Sequence, residues 1–327
     1  MGVEKSSAVK AQPGIIFPLA LLILVLPFSA AHSAVFTTLN DPGATNTYLE
    51  GISGQEIVGA YNSYNGVTYD GSSWTPLGND TYVAFGVDGP NVVGTYSSGV
   101  NPNSFLYNGS SFTTLSDPNA SFGTTAHGIS GSTIVGYYFD YNGYANGFIY
   151  DGTNYTTLNA PSAVNGTYVT GVDGNNIVGY YKDSLSNFEG FLYNGGSWAT
   201  LNDPNAVYGT YITGISGTNI VGRYYDSNDK MNGFIYSGGV WTTLDDPNGV
   251  NGTYVTGISG TDIVGYYYDS NGSANGFITA VPEPSIGALL ALGMLSPMIL
   301  CRRRGLDFGN FSFLYRSPKT FMSQLGT

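Results

Sequence analysis

Between residues 35 and 280 the apolar positions fall in short runs broken by Gly, Asn and Asp. Such runs, bounded by turn-forming residues, predict strands rather than helices. The runs themselves recur. The pattern Gly-Ile/Val-Ser/Asp-Gly-x-x-Ile/Val-Val-Gly begins at Gly51, Gly86, Gly128, Gly171, Gly214 and Gly257, at spacings of 35, 42, 43, 43 and 43 residues. A fixed period in this range marks a repeat architecture, in which each unit is one supersecondary element.

Each unit reads as four strands. In the fifth they are Thr210–Ile215, Ile220–Tyr225, Gly233–Tyr236 and Val240–Leu244. A Ser216-Gly217-Thr218-Asn219 turn joins the first two. A polar loop from Asp226 to Asn232 joins the second to the third, and Ser237-Gly238-Gly239 the third to the fourth. Asp246-Pro247 then ends pairing, because proline has no donor for a ladder. Four antiparallel strands in about 43 residues fit one blade of a β-propeller.

The ends of the array predict a closed ring. The fourth-strand motif, aromatic-Thr-Thr-Leu, stands at Phe36–Leu39, ahead of any complete unit. The last unit stops after Gly276-Phe277-Ile278-Thr279 and lacks that strand. Pairing the two gives an all-β, six-bladed propeller of four-stranded blades, residues 34–280, with the last blade closed by the N-terminal strand. Blade 1 is shortened at Asn62–Gly66 and again at Gly78-Asn79-Asp80. Third-strand Phe105, Phe148, Phe191, Phe234 and Phe277 are predicted core. Fourth-strand Phe36, Trp74, Phe112, Tyr155, Trp198 and Trp241 are predicted to fill the space between blades toward the rim.

Composition agrees with many tight turns: charged residues are 10% of the chain, with 47 Gly and 27 Tyr among 327 residues. Gly supplies positive φ at turns, and Tyr suits a half-buried pleated surface. Between Val35 and Val281 stand three basic residues, Lys182, Arg223 and Lys230, against nineteen acidic ones, a formal charge of −16. A body so acidic repels phosphate backbones and excludes nucleic acid as a partner. The single cysteine, Cys301, permits no intramolecular disulfide.

Candidate chemistry is sparse. His127, just ahead of Gly128, has no companion of its kind in the repeats; it is expected at a turn or strand edge, and no catalytic residue is assigned. The loops beginning at Asp140, Asp226 and Asp269 offer hard oxygen ligands, as the start of a calcium loop does, but no bidentate Glu follows. No cofactor or metal ligand is assigned, and calcium enters only through the alternative of a calcium-stiffened adhesin. Aromatic clusters in the second strands point some rings away from the blade core. Tyr137, Tyr180, Tyr224 and Tyr266 are the candidate ligand-binding residues, since tyrosine beside Asn and Asp suits flat sugar rings. The other alternative is a glycan-active lyase or hydrolase, with a carboxylate pair, or a Tyr and a His, converging on one ring face.

The two ends predict export. Lys5 and Lys10 precede the apolar stretch Ile15–Leu26, and small residues follow to Ser33, so residues 1–33 read as a signal peptide. Near the carboxyl end, Val281-Pro282-Glu283-Pro284 leads into an apolar run, Ile286–Leu300, and then Arg302-Arg303-Arg304. Ser285 to Cys301, as a helix, spans about 25 Å against a bilayer core of about 30 Å, a marginal membrane helix. Residues 281–305 resemble the PEP-CTERM sorting signal, with Pro282, Glu283, Pro284, Arg302, Arg303 and Arg304 as its motif. That resemblance implies an exosortase-type membrane protease as partner, passage through the inner membrane, and a final place at the cell surface or in the extracellular matrix, near polysaccharide and biofilm. Family members end close to the basic cluster; here residues 306–327 follow, an extension expected to be disordered. The repeats, judged by Gly-Ile-Ser-Gly…Ile-Val-Gly and Gly-Phe-Ile-Tyr, resemble the HAF-type repeats of exported bacterial proteins, a family that brings no activity with it. Together these features predict a non-enzymatic surface or matrix protein that binds polysaccharide or protein.

Overall fold

The computed structural model describes residues 34–62, 65–78, 82–97 and 101–282. These residues form one compact unit. The predicted signal peptide, the sorting segment beyond Pro282 and the extension 306–327 lie outside the described residues. Among the described residues, no helix is long and apolar enough to cross a membrane.

The described residues form six four-stranded antiparallel sheets, five of them running in chain order from first strand to fourth. Blade 1 comprises Thr47–Ser53, Glu56–Tyr61, Asn65–Tyr69 and Trp74–Pro76. Blade 5 comprises Thr210–Ser216, Asn219–Tyr225, Met231–Ser237 and Val240–Leu244. Blade 6 has three strands of its own, Thr253–Ser259, Asp262–Tyr268 and Ala274–Ala280, and takes its fourth from Thr37–Thr38. Thr37 pairs with Ile278 and Thr38 with Phe277. The seam is fastened further where Leu39 donates its backbone N–H to the Gly276 carbonyl at 2.8 Å, and the Phe36 ring meets Phe277 edge to face at 5.1 Å. Val264 of blade 6 packs with Leu49, Ile52 and Ile57 of blade 1, so the ring closes through its core as well.

The third-strand phenylalanines are the centre of the core: Phe148, Phe234 and Phe277 are fully buried, and Phe105 and Phe191 nearly so. Blade 1 places Val67 there. The fourth-strand aromatics rest on their own blade's third strand, as Trp198 does on Phe191 at 5.0 Å. They also reach the cluster shared with the preceding blade, where Trp198 joins Val135 and Leu158. Phe112 is the exception, 40% exposed.

The recurrent motif has a mechanical reason. In blades 2, 4, 5 and 6 its Ser or Asp accepts a hydrogen bond from the turn glycine of the following blade. Asp88 Oδ2 accepts from Gly131 N and Asp173 Oδ2 from Gly217 N, both at 2.6 Å; Ser216 Oγ accepts from Gly260 N and Ser259 Oγ from Gly54 N, both at 3.0 Å. One backbone donor of each clasped turn is thereby satisfied by a neighbouring blade. The motif's first glycine lies against the next blade's backbone: a Cβ on Gly51 would stand 2.4 Å from the Phe85 carbonyl oxygen. Inner strands without side chains at this point let six blades converge on the axis.

A candidate binding site in the axial cavity

Every first strand carries a β-bulge at the residue just before that glycine. Register slips between Leu49 and Gly51, and at the corresponding places in the other five blades. A bulge leaves one residue unpaired and re-aims its side chain. The six bulged residues are Glu50, Phe85, His127, Thr170, Thr213 and Thr256, and all six line one axial cavity of about 350 Å³. That volume falls within the range of small-molecule pockets, about 300–1,000 Å³.

The repeats serve as one another's control. In blades 4 to 6 the bulged residue is threonine, whose hydroxyl ties its blade to the next. Thr170 Oγ1 donates to the Ile212 carbonyl at 2.8 Å, Thr213 Oγ1 to Val255 at 2.9 Å and Thr256 Oγ1 to Leu49 at 2.7 Å. Threonine is therefore the scaffold's own solution, and Glu50, Phe85 and His127 depart from it. The second strand adds another ring. Tyr137, Tyr180 and Tyr266 line the cavity in blades 3, 4 and 6, and blade 5 puts Arg223 at the same position.

These side chains join a belt of aromatics around the axis. Tyr266 meets Tyr48 of blade 1 at 5.1 Å and stacks on Tyr254 at 4.8 Å. Tyr180 meets Tyr211 at 5.1 Å and Tyr168 at 5.0 Å, and Tyr168 meets Tyr137 at 5.0 Å. His127 is stacked between Tyr137 at 5.9 Å and Phe85 at 4.3 Å. The Arg223 guanidinium lies over the rings of Tyr211 at 5.9 Å and Tyr254 at 5.6 Å, a cation–π arrangement that holds it between two blades. Exposed rings, Phe122, Tyr141, Tyr144 and Tyr208, belong to loops at the end where the first strands begin, the same end as the Tyr48, Tyr168, Tyr211 and Tyr254 belt.

Glu50, His127 and Arg223 are half-buried, open to the cavity and enclosed by protein elsewhere. Burial pushes the Glu50 carboxyl up to about 7, against the pull of Arg223. Burial, helped by the nearby guanidinium, pushes the His127 imidazole down to about 4. Burial also raises the phenols of Tyr137, Tyr180 and Tyr266 above their ordinary value. At neutral pH the cavity thus holds one firm positive charge, a neutral imidazole and a carboxyl near its midpoint. Such a set donates and accepts hydrogen bonds around a guanidinium that the half-ionised carboxyl only partly offsets.

Of the four tyrosines expected at a site, Tyr137, Tyr180 and Tyr266 line the cavity. Tyr224 does not: it is 5% exposed and its hydroxyl is 3.1 Å from that of Thr243. Strand side chains alternate faces, so the residue beside it, Arg223, takes the cavity position. His127 is likewise neither in a turn nor at a strand edge; the bulge carries it into the cavity. The glycan-enzyme alternative asked for a carboxylate pair or a converging Tyr and His. Among the described residues the cavity lining holds one carboxylate, Glu50, whereas His127 and Tyr137 do converge.

The acidic loops are spent on their own turns. Asp140 Oδ1 accepts from the backbone N–H of Asn142 and Tyr144, Asp226 from Asn228 and Lys230, and Asp269 from Asn271 and Ser273. These bonds hold all three carboxyls below the usual range. Among the described residues no group of three His, Cys, Asp or Glu side chains is placed to hold a metal ion.

No family model matches the chain, and no curated protein matches it in sequence. Solved structures similar in fold include the Aleuria aurantia lectin in complex with α-methyl-L-fucoside, at 17% identity and TM-score 0.47, covering 73% of this chain and 96% of the lectin. SapL1 lectin in complex with α-methyl fucoside is 15% identical at TM-score 0.48, covering 74% of this chain and 98% of its own. TolB from Acinetobacter baumannii is 13% identical at TM-score 0.48, covering 72% of this chain and 63% of its own. The cavity's own residues, rather than these likenesses, decide what it can bind.

Proposed function

We propose that this protein is an exported, non-enzymatic propeller that binds a saccharide in its axial cavity at the bacterial surface or in the extracellular matrix. The observation that carries the proposal is the belt of tyrosines around a cavity whose polar groups, Glu50, His127 and Arg223, break the repeat's own pattern. Tyrosine offers an apolar face and a polar tip, which suits a sugar ring and its hydroxyls. A few placed polar groups in an otherwise aromatic cleft are the usual composition of a small-molecule site. The exposed rings at one end extend a surface along which a longer glycan can lie. Titration of the purified chain with neutral and acidic oligosaccharides, followed by saturation-transfer NMR, tests it. Binding that disappears in the Tyr180→Ala and Tyr266→Ala variants is expected; no binding by any saccharide, or binding indifferent to both substitutions, would overturn it.

Export and sorting rest on the sequence: the N-terminal signal, the resemblance of residues 281–305 to PEP-CTERM and an exosortase-type protease as partner. Mass spectrometry of the mature carboxyl terminus, with and without that protease, distinguishes removal of the segment from a lasting anchor.

One observation favours a second function, cleavage of the bound glycan: His127 and Tyr137 converge, and burial keeps the imidazole neutral, the form able to accept a proton. Prolonged incubation with polysaccharide decides between them. Intact chains support binding alone, and shortened chains support the enzyme.

A further inference from the structure

We propose that the axial cavity takes an acidic sugar, a saccharide unit carrying a carboxylate, with Arg223 as the residue that reads the charge. This rests on the saccharide-binding function above and specifies the class of saccharide.

Three observations converge on it. First, Arg223 stands where blades 3, 4 and 6 place Tyr137, Tyr180 and Tyr266. A tyrosine fits that position and completes the belt, so ring packing alone does not call for arginine. Secondly, the guanidinium is held in place but not neutralised. It lies over Tyr211 and Tyr254, while the one ion pair among the described residues joins Lys230 to Asp245 elsewhere. Its planar fork of donors is open to the cavity, and that fork matches a carboxylate in two parallel hydrogen bonds. Thirdly, among the described residues it is the only basic side chain of full charge lining the cavity, inside a body of formal charge −16. Such a body repels anions at long range, so a lone desolvated cation at the axis selects for one placed acidic group rather than for polyanions in general.

Glu50 sets a condition on that binding. The titratable groups that face it are Tyr266 and Tyr268 of blade 6, Arg223 of blade 5 and His127 across the cavity. The tyrosines and the histidine are neutral at pH 7, so the charge balance at the site is set by Glu50 and Arg223. A protonated Glu50 donates a hydrogen bond to an incoming carboxylate; an ionised Glu50 competes for Arg223 and repels the ligand. Binding is therefore strongest in mildly acid solution and weakens as pH rises through about 7.

The probes are trigalacturonate, triglucuronate and trimannuronate, each beside its methyl ester, titrated calorimetrically into the full chain at pH 6 and pH 8. At least one free acid is expected to bind tenfold or more tightly than its ester at pH 6, with affinity falling at pH 8. Arg223→Tyr, which installs the sister blades' residue, is expected to remove the preference for the acid while leaving the melting temperature unchanged. Arg223→Lys keeps the charge but not the fork and should restore only part of it. Glu50→Gln should flatten the fall toward pH 8. Equal binding of acids and esters, unchanged in Arg223→Tyr, would overturn the acidic-sugar assignment and leave saccharide binding standing. Absence of binding by all six probes and by neutral oligosaccharides would overturn both.

Discussion

Phe85 and His127 lie face to face, with ring centroids 4.3 Å apart and planes inclined by 18°, although they belong to neighbouring blades. Both are bulged residues, and in blades 4 to 6 the same position ties one blade to the next through a threonine hydroxyl. Stacking thus replaces a hydrogen bond at one blade interface. It also buries the imidazole in its neutral form, since charging it would strip a cation of water and bring it close to Arg223.

The first prediction is that His127 and Glu50 impose opposite pH dependences on stability. The unfolded histidine takes up a proton near 6.5 and the folded one only near 4, so stability falls as pH drops between those values. The folded Glu50 keeps its proton to about 7 while the unfolded carboxyl loses it near 4.5, so stability falls as pH rises between those values. In the native chain the two slopes largely cancel. Glu50→Gln should expose the histidine slope, and His127→Thr the glutamate slope, each at most about 3 kcal/mol across its window. Denaturant unfolding at pH 4.5 and pH 7 measures both; parallel behaviour of the two variants would refute it.

A second prediction concerns the cost of function. If threonine and tyrosine are the scaffold's solutions at these positions, Glu50→Thr, His127→Thr and Arg223→Tyr together should be neutral or raise the melting temperature. Combined changes of this repeat-consensus kind commonly add about 0.5–2 kcal/mol each where no function is at stake. Oligosaccharide binding should be lost in the same triple variant. A large loss of stability would instead make these residues structural.

The blades, their number, their strands and the closure by Phe36–Leu39 were legible from the sequence, because a period of 43 and a period-two alternation are written directly in residue order. The cavity was not. Six bulges shift register by one residue ahead of each glycine, and a one-residue shift changes which face a side chain takes. Nothing in a string marks that shift, so His127 looked peripheral. The aromatic clusters of the second strands point to Tyr224. Counting instead from Gly222, as Tyr137 counts from Gly136, brings Arg223 to the cavity, and that signal was in the sequence. The Ser/Asp alternation of the motif was equally visible, but its partner, a turn amide some 44 residues on, is a property of the closed ring.

A third prediction separates two kinds of glycine in one motif. Gly51→Ala puts a methyl group 2.4 Å from the Phe85 carbonyl oxygen, on backbone that cannot move without opening the blade interface. Gly54→Ala meets nothing within 4 Å and carries only the strain of φ +59°. The first should cost about 3 kcal/mol or more and the second about 1 kcal/mol, as overpacking and left-handed backbone respectively do. Equal melting temperatures for the two would show that the axial glycines are not a packing requirement.

The last prediction tests the seam. Thr256 donates to the Leu49 carbonyl, joining blade 6 to blade 1 across 207 residues of chain, and Thr38 brings its hydroxyl within 3.2 Å of that of Tyr267. The Phe36 ring covers Phe277 in the same blade. The ring is thus fastened both near the axis and at the outer strand. Thr256→Val keeps the shape and removes the bond to Leu49 together with the hydroxyl's longer contact, 3.2 Å, to the Val264 carbonyl of its own blade, so it should cost about 1 kcal/mol, with more if the Leu49 carbonyl is left without a partner. Deleting Val35–Asn40 strips the outer strand, exposes the ladder edge of Ala274–Ala280 and uncovers Phe277. A closed ring passes that loss to every blade, because each packs on two neighbours. The deletion should therefore lower the single melting transition of the whole domain, read by near-ultraviolet circular dichroism. An open array would lose structure only in its last unit. A transition that splits in two, with blades 1 to 5 melting at the original temperature, would show that the seam does not bear on the ring.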